Sequence, residues 1–189
     1  MTFRLAVGLM LAALLSGCSL SPEKPVADYQ LAERQYLQQQ RQWAFEGRLA
    51  VADDKDSVTV SISWRHDERK DDIELVGPLA QGRVKILVND GQVEIDDGET
   101  RNVYHGEPEA VVTEQLGVDM PVSALRYWVL GVNAPQPSYV EQQGGFYQSG
   151  WLVRYREMQK VDANWLPKKI TAEKDKARIK LIVDQWNLS

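Results

Sequence analysis

The chain has 189 residues, of which 43% are hydrophobic and 26% charged, with a formal charge of −5 and a pI of about 5.1. This ordinary globular composition excludes a collagen, a coiled coil or a fully disordered chain, and the length suits one domain with a sizeable core. An acidic chain without basic blocks is a poor candidate for nucleic-acid binding, which depends on Lys and Arg. The single cysteine excludes an internal disulfide and a cysteine-cluster metal site.

The first 17 residues predict a signal peptide that is cleaved. Arg4 supplies a positive charge, and the apolar run Leu5–Leu15 is too short for a transmembrane helix, which needs about 20 residues. The run ends in Leu15-Ser16-Gly17-Cys18, which resembles the lipobox of bacterial lipoproteins. The resemblance implies a diacylglyceryl group and palmitate on Cys18, and Ser19 implies delivery to the outer membrane. The alternative is a plain secretory peptide that happens to contain a cysteine.

Residues 18–42 are predicted to be an acylated N-terminus and tether with a possible helix. Pro22 and Pro25 lie in a segment without an apolar pattern, which is typical of a linker. A helix over Asp28–Gln42 would take Asp28 as its N-cap. Its apolar face is thin and consists of Leu31, Tyr36 and Leu37.

Residues 43–189 are predicted to form the folded domain, beginning with a series of strands. The alternation is clearest over Ser57–Trp64, which puts Val58, Val60, Ile62 and Trp64 on one face. Asp90-Gly91 predicts a tight hairpin turn. The predicted strands before the middle of the chain are Trp43–Ala52, Ser57–Trp64, Asp72–Val76, Arg83–Val88, Val93–Ile95 and Arg101–Tyr104.

Two short helices interrupt the strands, each with a proline near its start and a glycine after its end. They are predicted over Glu107–Leu116 and Pro121–Leu130, and a loop with Pro135 and Pro137 follows. Strands resume over Gly150–Arg156, Lys168–Ala172 and Ala177–Asp184. The order predicts an α+β fold in which one curved antiparallel sheet has the two helices over its open end.

No sequence motif points to catalysis. The chain has no phosphate-binding glycine loop, no G-x-S-x-G and no H-E-x-x-H. We expect His66 and His105 to be solvated, and the Asp71/Asp72 and Asp96/Asp97 pairs to serve turns. We therefore predict no catalytic residue, no metal and no cofactor, and a hydrolase remains only a weak alternative.

Two features could instead provide apolar surface. All six tryptophans follow Cys18, and they could fill a core or line a cavity for an apolar ligand. The loop Val76–Gly82 carries Leu79 among turn-forming residues, and Pro78 stiffens the backbone before it. Leu79 could fold back onto the sheet or point outward toward a membrane or a partner.

These segments together resemble the LolB family of outer-membrane lipoprotein receptors. The most specific match is the stretch from Met120 to Gly131, with Leu125 and Trp128 inside it. The other matching pieces keep the family order and cover most of the chain after Cys18. They are Phe45–Val51, Ile62–Trp64, Gly77–Leu79, Leu166–Ile170 and Ile179–Trp186.

The resemblance implies an unclosed, strongly curved antiparallel β-barrel with a lid of short α-helices and an apolar cavity. Such a protein, expected to be a monomer, takes triacylated lipoproteins from the periplasmic carrier LolA without using nucleotide. It binds their acyl chains in the cavity and inserts them into the outer membrane, which it faces from the periplasm. The family implies acyl-chain contacts for Trp64, Trp128, Trp151, Trp186 and Leu125, and a membrane-insertion role for Leu79 with Pro78.

Two positions depart from the family pattern. The family loop is often Pro-Leu-Gly, whereas Ala80 follows Leu79 in this chain, and alanine does not readily take a positive φ. Trp186 is out of phase with Ile179, Leu181 and Val183, and it shares their face only if a β-bulge intervenes. The alternatives are a lipid-binding or sensing lipoprotein of the same barrel type without a transfer role, and a structural lipoprotein with a solid core.

Overall fold

The computed structural model describes residues 29–78, 82–117 and 119–188, so Cys18 and Leu79 lie outside the described residues. The described chain forms 11 strands, two α-helices and an N-terminal 3₁₀ helix (Ala32–Gln39). The α-helices are α1 (Pro108–Leu116) and α2 (Val122–Trp128). The strands are β1 (Gln42–Ala52), β2 (Ser57–Asp67), β3 (Lys70–Val76), β4 (Arg83–Asn89), β5 (Gln92–Asp96), β6 (Arg101–His105), β7 (Tyr139–Gln142), β8 (Gly145–Gln148), β9 (Trp151–Val161), β10 (Asn164–Lys174) and β11 (Ala177–Leu188).

All the strands belong to one antiparallel sheet in the order β6-β5-β4-β3-β2-β1-β11-β10-β9-β8-β7. The first and last strands pair at its centre, while β6 and β7 form the two edges. The sheet curls without closing, and α1 and α2, the lid helices, come from the segment between the edge strands. The predicted α+β fold, an unclosed curved sheet with a helical lid, is confirmed.

The strands follow the period-two pattern that the sequence predicts. In β2, Ile62 and Trp64 face inward and are buried, whereas Ser61 and Ser63 are exposed. The predicted β4–β5 hairpin turns at Asp90 and Gly91, where φ is 41° and 79°. Two successive positive φ values are what a tight hairpin turn requires.

Trp186 reaches the concave face of the sheet through the expected bulge. The β1–β11 register shifts between Glu46 and Gly47, so that Gly47 pairs with Val183 and Glu46 with Gln185. Asp184 is the extra residue, and it restores Trp186 to the side of Val183. Gly47 fits the bulge because a Cβ there would lie 2.2 Å from the Ile182 carbonyl oxygen.

Each lid helix has the predicted proline at its start and glycine after its end. Pro108 occupies the first turn of α1, and Gly117 ends this helix in the left-handed region at φ 67°. Pro121 is the N-cap of α2, and Gly131 follows that helix at φ 85°. The predicted buried face of α2 is confirmed, because Val122, Leu125, Trp128 and Val129 are at most 1% exposed.

Two predictions about local structure need correction. The N-terminal helix is a 3₁₀ helix that begins at Ala32, and Leu31 is its N-cap, while Asp28 lies outside the described residues. Leu31 and Leu37 are buried, but Tyr36 is 58% exposed. The segment predicted as a loop before Gly150 contains the β7–β8 hairpin. All four residues of β7 are exposed, so this edge strand has no apolar alternation to reveal it.

The strand ends form two rims. One rim, here called the helix rim, holds the β2–β3 and β4–β5 turns and the start of β1, next to the N-terminal 3₁₀ helix. The opposite rim holds the β1–β2 turn and the described ends of the β3–β4 connection, residues 77–78 and 82. The core lies between the concave face of the sheet and the lid helices.

Candidate functional site

Four aromatic side chains from neighbouring strands form a sheet-side cluster on the concave face: Trp43, Phe45, Trp64 and Trp186. The Trp43 ring centroid lies 5.9 Å from that of Phe45 and 5.5 Å from that of Trp64. The Phe45 and Trp186 centroids are 5.3 Å apart. Trp186 is partly buried and the other three are fully covered. These separations are typical of tightly packed aromatic rings.

A second group, the lid-side cluster, joins α2 to β8 and β9 and consists of Trp128, Phe146, Trp151 and Tyr155. The Trp128 centroid lies 6.2 Å from that of Trp151 and 6.4 Å from that of Phe146. Phe146 lies 6.2 Å from Tyr155. Leu125, one turn before Trp128 on α2, is buried in the same core. The inner face of α2 is therefore an apolar wall opposite the sheet.

Hydrogen bonds fix the lid-side cluster. Trp128 Nε1 donates to Gln148 Oε1 at 3.0 Å, and the Gln148 amide nitrogen donates to the Ala134 and Pro137 carbonyls at 2.8 and 2.7 Å. The Tyr155 hydroxyl donates to the Trp128 carbonyl at 2.9 Å. Because buried polar groups are costly unless they are paired, this network holds the C-terminal end of α2 in one position.

A buried carboxylate ties α2 to the other half of the sheet. Asp71 on β3 has no exposed surface, and its Oδ1 accepts a hydrogen bond from Trp64 Nε1 at 3.0 Å. His66 Nδ1 lies 2.8 Å from the same oxygen, and Arg126 on α2 donates to Oδ2. The two strands and the lid helix thus share one acceptor group.

The expectations that His66 is solvated and that Asp71 serves a turn are wrong. His66 is 5% exposed because the inward alternation of Ile62 and Trp64 continues along β2 to position 66. Asp71 pairs with His66 in the β2–β3 register and faces the same side of the sheet. The period-two pattern could have indicated His66, but no sequence signal connects Asp71 with Arg126, which lies far along the chain.

The N-terminal 3₁₀ helix is fastened to the chain just after α2. Arg34 donates from Nε to the Gly131 carbonyl at 3.1 Å and from Nη2 to the Leu130 carbonyl at 2.9 Å. Tyr29 donates to the same Gly131 carbonyl at 2.9 Å and stacks on Tyr155 at 4.5 Å. These donors satisfy carbonyls near the C-terminal end of α2, which have no partners within the helix.

Burial dominates the electrostatics of this region. It raises the pKa of Tyr155 well above the usual value of 10.0, and it also raises the pKa of Tyr29. Burial lowers the pKa of Arg34, although the neighbouring tyrosines oppose that shift. Both phenols are therefore neutral at physiological pH and able to donate their hydrogen bonds.

Four of the five residues predicted to contact acyl chains are fully buried, and Trp186 is partly buried. Trp64 and Trp186 belong to the sheet-side cluster, whereas Trp128 and Trp151 belong to the lid-side cluster. Their rings pack on one another, so acyl chains could contact them only after these groups separate. The acyl-chain role of these five residues stays a prediction.

Trp165 is an exception among the tryptophans, since it is 57% exposed at the start of β10 and belongs neither to a core nor to an interior wall. Pro78 is exposed at the end of β3. Leu79 and Cys18 lie outside the described residues, so their predicted roles in membrane insertion and lipid attachment stay predictions.

Within the described ranges, no three His, Cys, Asp or Glu side chains are grouped so that they could hold a metal ion. Over the same ranges, no helix combines the length and apolar character needed to cross a membrane. The most distinctive feature of the described chain is an aromatic interior closed by a short helix, and the last turn of that helix carries polar contacts to both halves of the sheet.

Comparison with known proteins assigns this architecture to a family. A family model described as "Outer membrane lipoprotein LolB" matches residues 41–186. The protein named outer-membrane lipoprotein LolB from Nitrosococcus oceani is 35% identical, over 98% of this chain and 98% of its own length. The protein of the same name from Chromohalobacter salexigens is 31% identical, over 98% of this chain and 91% of its own length.

Solved structures agree on the fold. A LolA superfamily protein from Nitrosomonas europaea superposes with a TM-score of 0.55 at 9% identity, covering 84% of this chain and 91% of that one. A DUF1329 family protein from Desulfovibrio piger gives a TM-score of 0.52 at 8% identity, covering 84% and 90%. At such low identity these similarities concern the fold alone.

Proposed function

The chain belongs to the LolB family of outer-membrane lipoproteins, which are lipoprotein receptors and not enzymes, and from this membership we propose how it works. It accepts lipoproteins from the periplasmic carrier LolA and binds their acyl chains between α2 and the concave face of the sheet. It then releases the lipoprotein into the outer membrane.

The observation that carries this proposal is the construction of α2. Its inner face presents Leu125 and Trp128 to the aromatic interior, while two polar contacts hold its last turn from opposite sides, Arg126 to Asp71 and Trp128 to Gln148. Breaking the buried contact between Arg126 and Asp71 costs a few kcal/mol, which burial of several acyl methylenes offsets. Moving the helix would then uncover a continuous apolar wall to which acyl chains can bind.

Hydrophobic transfer can drive every step of this mechanism. Each methylene removed from water contributes about 0.8 kcal/mol, so a chain moves spontaneously to whichever site covers it best. A difference of about 1.4 kcal/mol between carrier and receptor gives a tenfold bias. The bilayer is the final acceptor, and no nucleotide is needed.

We propose that residues 1–17 are a cleaved leader and that Cys18 carries the acyl groups that anchor the protein, as a monomer, on the periplasmic side of the outer membrane. Residues 18–42 contain the tether and the 3₁₀ helix, and residues 43–189 form the binding domain. About 11 residues separate Cys18 from Tyr29 and can span at most about 40 Å. That reach lets the domain present either rim to the bilayer.

We assign release of the lipoprotein into the outer membrane to the β3–β4 loop. Exposed Pro78 precedes Leu79, and the loop lies at the rim opposite the helix rim. Burying one leucine yields roughly 1.5–3 kcal/mol, which is too little to hold the protein but enough to favour brief contact with lipid. Leu79→Asp should therefore leave acceptance of cargo intact and slow its insertion into liposomes. Slowed acceptance with normal insertion would contradict the assignment.

The test of the proposed function is a transfer assay with the soluble protein, in which the leader is removed and Cys18 is replaced by Ala. It is mixed with LolA loaded with a triacylated lipoprotein, and the cargo on each protein is measured after separation. Cargo should move to the receptor, and Trp165→Ala, which alters an exposed tryptophan, should transfer normally. If a folded receptor binds free lipid but takes no cargo, the protein is instead a lipid-binding or sensing lipoprotein.

A further inference from the structure

A cavity of about 530 Å³ opens at the helix rim, between the end of the 3₁₀ helix, the strands β1 and β2, and the C-terminal end of α2. We call it the rim pocket. Trp43 and His66 contribute to its wall from the sheet, and Arg126 and Leu130 contribute from α2 and the residues just after it. The pocket thus lies where the lid meets the sheet-side cluster.

Two residues that line the rim pocket carry buried nitrogen donors without a hydrogen-bond partner in the described structure, Trp43 Nε1 and Arg126 Nε. Trp43 is 2% exposed, and the indoles of Trp64 and Trp128 each donate to a side chain at 3.0 Å. Buried donors without an acceptor are rare in folded proteins. Their location in one pocket indicates a site for acceptor atoms that the protein itself does not provide.

The charged groups around the pocket also favour an acceptor ligand. Arg41 and Arg69 line the pocket together with Arg126. Arg41 pairs with Glu68 at 3.4 Å and Arg69 pairs with Asp90 at 3.6 Å, and all four of these side chains are more than half exposed. Exposed ion pairs contribute little, so both arginines can turn toward a ligand oxygen.

Trp43 connects the mostly polar pocket with the apolar interior. Trp43 reaches from the wall into the sheet-side cluster, where its ring packs against Phe45 and Trp64. A ligand with oxygen acceptors at one end and an acyl chain at the other would match this change from polar to apolar surroundings. Its chain would lie along the sheet-side cluster and its oxygens at the rim.

We propose that the rim pocket binds the polar end of an acylated ligand. The ester or phosphate oxygens of that end accept hydrogen bonds from Trp43 Nε1 and Arg126 Nε. This inference rests on the proposed function, since the chain of the same ligand occupies the interior. Both nitrogens are covered in this structure, so the contact between Arg126 and Asp71 must break before the ligand can reach them. Entry of the ligand is thereby coupled to displacement of the lid.

The test follows the indole N–H signals of the ¹⁵N-labelled soluble protein by NMR, with each signal assigned by a Trp→Phe variant. The probes are dodecyl phosphate, methyl laurate, dodecane and inorganic phosphate. The Trp43 signal should move with dodecyl phosphate, with methyl laurate or with both, which identifies the source of the acceptor. Dodecane should move the Trp64 and Trp128 signals and shift the Trp43 signal less than the acceptor-bearing probe does, since it offers no hydrogen bond. Inorganic phosphate should move none. A Trp43 shift of equal size with all three twelve-carbon probes would contradict the inference.

Two variants sharpen the test. Trp43→Phe removes the indole donor and keeps an aromatic ring, and Arg126→Lys keeps the charge beside Asp71 and removes the Nε donor. Each should weaken binding of the acceptor-bearing probe that moves the Trp43 signal by about five- to tenfold more than it weakens binding of dodecane. Trp165→Phe is the matched control and should change neither affinity.

The outcomes separate this inference from the proposed function. If all three twelve-carbon probes move the Trp64 and Trp128 signals and the Trp43 signal stays still, the interior binds chains and the inference is wrong. If inorganic phosphate alone moves the Trp43 signal, the pocket is a free-anion site and the inference is also wrong. If no probe moves any indole signal, acyl binding in the interior fails and the inference fails with it.

Discussion

The lid-side and sheet-side clusters have similar ring packing but differ in how their polar atoms are satisfied. In the lid-side cluster, Trp128 Nε1 and the Tyr155 hydroxyl both have partners at 3.0 Å or less. In the sheet-side cluster, Trp64 donates to Asp71 and Trp186 to the Pro167 carbonyl, but Trp43 Nε1 has no acceptor. A complete network joins the last turn of α2 to the β8–β9 half of the sheet, while the contact of that turn with the β2–β3 half depends mainly on one carboxylate.

The difference indicates which parts of the interior move. The Gln148 amide on β8 joins Trp128, the last residue of α2, to the backbone at Ala134. Trp128 is therefore bound to the β8–β9 half of the sheet. Contact between α2 and the β2–β3 half depends on Asp71 and Arg126. Breaking that contact would open the interior between α2 and the strands β2 and β3, while Trp128 keeps its bond to Gln148.

The largest expected effect follows from removing the shared acceptor. Asp71→Ala leaves Trp64, His66 and Arg126 without their buried partner, and we expect it to lower the free energy of unfolding by about 3–5 kcal/mol. Urea titration measures this loss. Asp72→Ala is the control, since Asp72 meets Lys85 at 3.3 Å in a partly exposed pair and should cost less than about 1 kcal/mol. Equal losses would contradict a special role for Asp71.

The second prediction concerns Gly131, which follows α2 and lies against Arg34. Gly131→Ala should cost about 2–4 kcal/mol, because φ is 85° and a Cβ would lie 2.6 Å from Arg34 Nη2. Gly98→Ala is the matched control, with φ of 90° and open space around the Cβ, and it should cost only about 1–2 kcal/mol. Thermal or urea unfolding compares the two. If Gly131→Ala costs no more than Gly98→Ala, the Arg34 contact does not constrain the chain.

The third prediction compares two tryptophans of the sheet-side cluster. Trp64→Phe and Trp43→Phe delete similar ring volume, but the first deprives Asp71 of a donor and the second removes an indole without a partner. Trp64→Phe should therefore be less stable than Trp43→Phe by about 1–2 kcal/mol in urea titration. Equal stability would mean that the Trp43 nitrogen is satisfied in solution.

The smallest effect at neutral pH concerns the lid-side tyrosines. Burial raises the pKa of Tyr155 above the usual 10.0, so the unfolded chain ionises first as the pH rises. Stability is complete below pH 10 and falls as the pH rises further. Tyr155→Phe should cost about 1 kcal/mol at pH 7 and make the alkaline loss shallower.

Tyr147→Phe serves as the control for loss of the hydroxyl at pH 7 because Tyr147 is 46% exposed, and it should cost less than Tyr155→Phe. An alkaline limb that is identical in Tyr155→Phe and the unaltered protein would show that the Tyr155 hydroxyl is not buried in solution.

The architecture could be predicted from local patterns. Several features depend on neighbouring residues alone. They are the alternation along Ser57–Trp64, the Asp90-Gly91 turn, and the start and end of α1 at Pro108 and Gly117. The bulge before Trp186 was also predictable, because its phase conflicts with Val183. The order of strands and helices indicated one curved sheet with two helices over its open end, and the family resemblance added the apolar cavity.

The polar part of the interior could not be predicted in the same way. Asp71 and Arg126 lie 55 positions apart, and Trp128 and Gln148 lie 20 apart, so only the fold brings each pair together. The β7–β8 hairpin was missed because an exposed edge strand lacks the apolar alternation of a half-buried one. Exposure of Trp165 also depends on its place at a strand end.

The central claim is that α2 moves away from the β2–β3 half of the sheet when acyl chains enter. Spin labels at Ala124 on α2 and at exposed Arg65 on β2, in the soluble Cys18→Ala protein, measure this distance directly by pulsed EPR. A second pair at Arg65 and Arg178 reports on the sheet alone. Loading with a triacylated lipoprotein should lengthen the first distance and leave the second unchanged. An unchanged first distance in fully loaded protein would contradict the claim.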